Sequence, residues 1–193
     1  MTVFAGATLE EARAIVARYP TGRERSAVMP LLYLAQSVEG RVTRDGLQAV
    51  AVLLGITTAE VEAVASFYTM IRLRPTGRHV VSVCTNLTCA LRGAKDVYEA
   101  AHLAAGIPHG KELSEDEIIT LHEEECLGAC EKAPVVSVDF MYHDEVTPLG
   151  MTQLIDSLRS GDVPTPSRGE PMRDFRAASR VLAGLEPERE VTA

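Results

Sequence analysis

The chain has 193 residues, 46% of them hydrophobic, and a formal net charge of −8, so it is long enough to bury a core as one domain or two small ones. Its longest strongly apolar run, around Ala49–Leu54, falls far short of the roughly 20 residues that span a bilayer. Met1-Thr2-Val3-Phe4 lacks the basic start and apolar run of a signal peptide, and the acidic balance repels phosphate backbones. A soluble, cytoplasmic protein that does not bind nucleic acid is therefore expected.

Residues 8 to 71 read as four helices. In the first, Thr8 and Glu11 have capping-box spacing, and Leu9, Ala12, Ile15 and Val16 form a stripe that Pro20-Thr21-Gly22 stops. The second starts near Ser26, carries Leu31, Leu34, Ala35 and Val38, and ends at Gly40, with Pro30 near its first turn where a missing N–H costs little. The third runs from Thr43 through Leu47, Val50, Ala51 and Leu54 to Gly55. The fourth opens on Thr57 and Glu60, another capping box, and buries Val61, Val64, Ala65 and Tyr68. Residues 1–75 are expected to be a helical bundle.

The character changes after Arg74-Pro75-Thr76-Gly77. His79-Val80-Val81-Ser82-Val83 is a β-branched strand that ends directly on Cys84. A helix from about Arg92 to Ala105, strands over Ile118–His122 and Val135–Asp139, a short strand near Glu145-Val146 and a helix from Met151 to Ser160 follow, giving the order β-α-β-β-α over residues 76–160. The fold class is α+β. From Gly161 onward Pro164, Pro166, Gly169 and Pro171 argue for an extended or partner-docking tail, in which Phe175, Ala178, Val181, Leu182 and Leu185 can form one short amphipathic helix.

The chemistry rests on four cysteines. Cys84 and Cys89 are spaced C-x4-C, Cys126 and Cys130 are spaced C-x3-C, and each pair follows a predicted strand. In a reducing compartment four cysteines point to metal ligands or redox groups rather than structural disulfides. Two parallel strands ending at one sheet edge would bring both loops together as a four-thiolate pocket, fit for Zn²⁺ or a [2Fe-2S] cluster. Both spacings exceed the C-x2-C of a zinc knuckle, yet on spacing alone zinc and redox-active disulfides stay open. Leu87 and Leu127, one in each loop, could shield such a site or pack as ordinary loop residues, and Gly128 would let the backbone turn closely.

The motifs Cys84-Thr85-Asn86-Leu87-Thr88-Cys89, Glu125-Cys126-Leu127-Gly128-Ala129-Cys130 and Ala133-Pro134-Val135, after a bundle ending Ala65-Ser66-Phe67-Tyr68, resemble the 24-kDa-type (NuoE-like) subunit family of respiratory complex I over about residues 9 to 160. The resemblance implies a thioredoxin-like ferredoxin domain in which Cys84, Cys89, Cys126 and Cys130 ligate one [2Fe-2S] cluster. It further implies a flavoprotein partner that binds FMN and NADH, a neighbouring iron-sulfur subunit, and a place in the peripheral arm of a membrane-bound complex. Related subunits in NAD-linked hydrogenases and formate dehydrogenases are the alternative host. A thioredoxin-like fold also implies a cis bond before Pro134.

A four-thiolate [2Fe-2S] centre is formally about −2 when oxidised, so nearby acids make its reduction harder. Glu123, Glu124, Glu125 and Glu131 flank the second pair and predict a low potential, or form a solvated face; Lys132, Arg92 and the helix expected after Cys89 could offset the charge. His79, His102, His109, His122 and His143 read as surface or strand-end residues. There is no G-x-G-x-x-G or G-x-x-x-x-G-K-[ST] loop, so no catalytic residue is assigned and hydride chemistry is expected on a partner, with this chain acting enzymatically only as a subunit.

Two readings from other classes compete. The third and fourth helices, joined by Leu54-Gly55-Ile56-Thr57, look like a helix-turn-helix and suggest a zinc-binding regulator, but residues 58–70 carry Glu60 and Glu62 and no Lys, Arg, Asn or Gln. A thiol oxidoreductase would normally use C-x-x-C at a helix start, and neither pair has that spacing.

Overall fold

The computed structural model describes residues 3–187. The chain divides into two compact units, Met1–Pro75 with Arg176–Ala193, and Thr76–Phe175. The change of character at Pro75 and Thr76 is thus also a structural division.

The first unit holds α1 (Ala7–Val16), α2 (Val28–Glu39), α3 (Arg44–Leu54) and α4 (Thr58–Phe67). Ala12, Ile15, Leu31, Leu34, Val50 and Val61 form its core. Thr43 caps α3 by accepting from the Gly46 N–H, and Thr57 with Glu60 closes a capping box on α4. The capping box expected at Thr8 does not form: the cap position falls two residues earlier, at Gly6, and α1 begins at Ala7, which places Thr8 inside the first turn. Ser26 falls in a 3-10 turn, and α2 starts at Val28 with Pro30 as its third residue, still among the positions whose N–H has no intrahelical acceptor.

The second unit contains β1 (His79–Cys84), α5 (Leu87–Leu91), α6 (Ala94–Ala105), β2 (Ile119–Glu124), β3 (Val136–Val138), β4 (Met141–His143) and α7 (Pro148–Ser160). The sheet order is β2-β1-β3-β4; β1 is parallel to β2 and antiparallel to β3, and β3 is antiparallel to β4. Val81, Val83, Val97, Ile119, Leu121 and Ile155 belong to its core. Arg159 of α7 donates to the carbonyls of Ala104 and Ala105, both at 2.7 Å, satisfying groups that the last turn of α6 leaves open.

Two expected elements are redrawn. The helix expected from about Arg92 to Ala105 is α6, which begins at Ala94 behind Gly93 at φ 92°, and a further short helix, α5, precedes it, so Cys89 lies within α5 rather than ahead of the first helix. The last strand is Met141–His143 instead of Glu145-Val146, because Asp139 and Phe140, at φ 49° and 70°, form a two-residue hairpin turn between β3 and β4. Glu145 and Val146 donate backbone bonds to Lys132 and Pro134 at 2.8 and 3.0 Å without joining the sheet. The Ala133–Pro134 bond is cis.

The segment expected over 161–193 as an extended or partner-docking tail divides at Phe175, the residues to that point belonging to the second unit and those from Arg176 to the first. Within the second, Ser167 donates its N–H to the Tyr142 carbonyl at 2.7 Å and Pro166 is buried. An eighth helix, α8 (Phe175–Leu182), does form. In the first unit Arg180 meets Glu11 at 2.7 Å, and buried Gln36 bonds Ser179 at 3.1 Å. Residues 188–193 of the expected tail lie outside the described residues.

Candidate functional site

The two cysteine loops leave the sheet side by side. Cys84 is the last residue of β1 and stands in register with Glu124, the last of β2. The Thr85 N–H donates to the Glu124 carbonyl at 3.0 Å and the Cys84 N–H to the Val135 carbonyl at 3.1 Å. The parallel ladder is thereby carried one residue past Cys84, and Cys126 follows two residues after β2.

Cys84 and Cys89 are 3% and 2% exposed and pack with Ala94, Ala129, Ala133 and Val135, with Leu127 and Tyr142 against them. Small side chains keep the volume around these sulfurs low. Cys126 and Cys130 are exposed, and all four are free thiols. Gly128, at φ 71°, turns the second loop so that its N–H reaches the Cys126 Sγ at 3.4 Å. Leu127 partly covers this cluster, whereas Leu87 is 70% exposed and shields nothing within the chain.

Burial pushes the Cys89 thiol up to about 11. A hydrogen bond from the Val135 backbone pulls it part-way down, and the nearby sulfurs of Cys84 and Cys130 raise it again. The Cys89 thiol thus feels Cys84 from the first loop and Cys130 from the second. Among the described residues, no group of three or more His, Cys, Asp or Glu side chains is disposed to hold a single metal ion.

The charged neighbours are arranged unequally. In-register partners on parallel strands point to one face, which puts Glu124 on the face of Cys84, and Glu124 lies 3.9 Å from His122 Nε2. Glu123, Glu125 and Glu131 are exposed. Arg92 donates to the Ala133 carbonyl at 3.5 Å, and Lys132 meets Glu145 at 3.7 Å, so both cations are engaged beside the second loop.

Two of the histidines expected at the surface or at strand ends are buried. His79 starts β1 as a strand-end residue but is fully buried, and His102 is 5% exposed. His102 Nδ1 lies 2.9 Å from the Ile107 carbonyl at the end of α6. Hydrophobic neighbours one and two residues along the strand hide the burial of His79 in any reading of pattern alone.

A family model described as thioredoxin-like [2Fe-2S] ferredoxin matches residues 12–159. The chain belongs to the thioredoxin-like [2Fe-2S] ferredoxin family. Relatives include a subunit of the NADH-quinone oxidoreductase of Mycobacterium tuberculosis, 45% identical over 179 residues that cover 93% of this chain and 70% of that one. The corresponding NADH-quinone oxidoreductase subunit of Rickettsia bellii is 39% identical over 153 residues, covering 79% and 91%. Among solved structures, an NAD+-reducing [NiFe]-hydrogenase in the H2-reduced state aligns with a TM-score of 0.61 at 17% identity, over 69% of this chain and 22% of that chain. That likeness is one of fold.

The thioredoxin-like ferredoxin assignment agrees with the α+β architecture, and the donor set suits the cofactor in the family's name: four unpaired thiols on two adjoining loops, with two sulfurs buried among small apolar side chains. Among the described residues no single helix is long and apolar enough to cross a membrane.

Proposed function

We propose that Cys84, Cys89, Cys126 and Cys130 ligate one [2Fe-2S] cluster, and that the chain is the one-electron carrier subunit of an NADH:quinone oxidoreductase. The observation that carries this is the convergence of both cysteine loops at one end of the β1–β2 pair, joined by the Thr85 to Glu124 bond, with Cys84 and Cys89 packed in one cluster with Leu127 and Ala129 of the second loop. When bound, the cluster takes up and releases one electron at a time.

The chain's residues supply the setting. Gly128 donates a hydrogen bond to the Cys126 sulfur, and a hydrogen bond from the Val135 backbone offsets part of the burial that favours the neutral Cys89 thiol. Ala94, Ala129, Ala133, Val135 and Leu127 keep water from the buried pair.

A one-electron carrier cannot accept a hydride, whereas a flavin takes two electrons and releases them singly. The partner is therefore an FMN- and NADH-binding flavoprotein subunit, with a further iron-sulfur subunit nearby, in the cytoplasmic peripheral arm of complex I. The names of the relatives support that host. The hydrogenase likeness supports, as a second reading, the equivalent subunit of an NAD-linked hydrogenase or formate dehydrogenase.

The test is reduction by NADH. The cluster-loaded chain mixed with NADH keeps its visible absorption, and adding the flavoprotein subunit bleaches it. Bleaching without the flavoprotein would overturn the assignment. The subunits that copurify with the native chain separate the quinone-linked host from the hydrogenase or formate dehydrogenase.

A further inference from the structure

The segment after α7 has no part in the cysteine motifs, yet it returns to the second cysteine loop. Arg168 reaches Asp144 at 2.8 and 3.4 Å, and its guanidinium lies over the Tyr142 ring, 5.1 Å from the centroid. The Tyr142 hydroxyl donates to the Leu127 carbonyl at 2.7 Å, in the middle of Cys126-Leu127-Gly128-Ala129-Cys130. The backbone holds the same arrangement: Ser167 N–H to the Tyr142 carbonyl at 2.7 Å, and Asp144 N–H to Ser167 Oγ at 2.8 Å.

Arg168 also approaches Glu131, the neighbour of Cys130, at 3.8 Å. Both side chains are largely exposed there, so this contact adds little. The well-formed route is Arg168 to Tyr142 to Leu127.

We infer that Arg168 and Tyr142 are positioning residues that brace the Cys126–Cys130 loop, so that the 161–175 segment holds the exposed pair of cysteines against the buried pair. The inference rests on the four-cysteine reading only for its consequence at the cluster; the brace itself is a property of the metal-free chain. Arg168 is fixed in direction by its two-point contact with Asp144. The ring of Tyr142 is held between that guanidinium and the apolar cluster, which aims its hydroxyl at one carbonyl. The loop it steadies has exposed ends, Cys126 and Cys130.

The experiment uses the full chain as parent, Tyr142→Phe, Arg168→Gln and Arg168→Lys. Alkylation of each cysteine by iodoacetamide is followed peptide by peptide in the metal-free protein, with circular dichroism as the check of fold. Tyr142→Phe and Arg168→Gln are expected to speed alkylation of the buried Cys84 and Cys89, which Leu127 and Ala129 of that loop cover, about fivefold, the factor for one lost hydrogen bond, and to leave the already exposed Cys126 and Cys130 near the parent rate. Arg168→Lys, which keeps the charge and loses the planar stack and fork, is expected to behave like Arg168→Gln.

In the loaded protein the same variants are expected to change the electron paramagnetic resonance line shape and to speed cluster loss to a chelator. Alkylation of Cys84 and Cys89 at the parent rate in Tyr142→Phe would overturn the brace, and this variant decides the matter even if the Arg168 variants fail to fold. Parent behaviour in Arg168→Lys with a change in Arg168→Gln would reduce Arg168 to a charge and overturn its positioning role. A parent chain that takes up no cluster but shows the alkylation pattern would refute the ligand assignment and leave the brace standing.

Discussion

His79 Nδ1 and Asp139 Oδ2 lie 2.6 Å apart with both side chains 1% exposed. The pair joins the first residue of β1 to the first residue of the β3–β4 turn, where Asp139 stands at φ 49°. The second Asp139 oxygen accepts from the Val80 N–H at 2.8 Å, and the Asp139 N–H returns a bond to the Val80 carbonyl at 2.9 Å. Burial raises the Asp139 carboxyl above its ordinary range, against the lowering pull of His79 and the Val80 N–H.

Breaking this pair from one side should be costly. His79→Leu strands a buried carboxyl and is expected to lose about 3–5 kcal/mol at pH 7, the usual penalty for removing one member of a buried pair. The sign of its pH dependence follows from the raised carboxyl. A folded-state value above the unfolded one makes the variant most stable at low pH, below the ordinary carboxylate range, and that stability is lost as pH rises through the folded value. Urea denaturation at pH 5 and 7 checks both, with the smaller deficit expected at pH 5.

Gly77 offers a second test of the same end of the sheet. A Cβ at this position would meet the backbone of Ile118 at 2.8 Å and the Glu117 carbonyl at 2.9 Å. Gly77→Ala must move main chain rather than a flexible side chain, and a loss of about 1–3 kcal/mol is expected in the same measurement.

The two threonines that look alike in sequence should separate by experiment. Thr57→Ala removes the α4 cap and is expected to cost about 1 kcal/mol. Thr8→Ala should be near neutral, because Thr8 is not the cap of α1. Thermal melts of the two variants make the comparison.

Glu124 is the acid whose register puts it on the face of Cys84. Glu124→Gln removes a negative charge beside a group that becomes more negative on reduction, so the midpoint potential should rise, by on the order of 50 mV. Glu125→Gln, at an exposed position, should move it much less. Spectroelectrochemical titration of both variants gives the answer.

Much of the fold is readable from local rules that the structure obeys. Thr43, Gly40, Gly55 and the Thr57–Glu60 box mark helix ends because caps act within a few residues, and the β-branched run before Cys84 is a strand for an equally local reason. The last strand falls earlier than its pattern suggests because its turn uses Asp139 and Phe140 at positive φ without a glycine, a conformation stabilised by the distant pairing of Asp139 with His79. Thr8 carries a cap signature that the entry geometry at Gly6 overrides. The cysteine pairs are legible from spacing and motif. The unequal burial of Cys84 and Cys89 against Cys126 and Cys130 is not, since it depends on Ala133 and Val135 arriving from the chain just before β3 and on Tyr142 from β4. Nor is the return of Arg168 to the second loop, a contact across 24 residues to Asp144 that no local pattern signals.

The most direct measurement is the electron paramagnetic resonance spectrum of the full chain after anaerobic loading with iron and sulfide, before and after dithionite, with iron and sulfide counted per chain. The expected result is a brown protein with two irons and two sulfides, silent when oxidised and showing one half-spin signal when reduced, and loss or alteration of that signal in each of Cys84→Ser, Cys89→Ser, Cys126→Ser and Cys130→Ser. A colourless chain that binds one zinc, or a signal unchanged by replacement of any of the four cysteines, would contradict it.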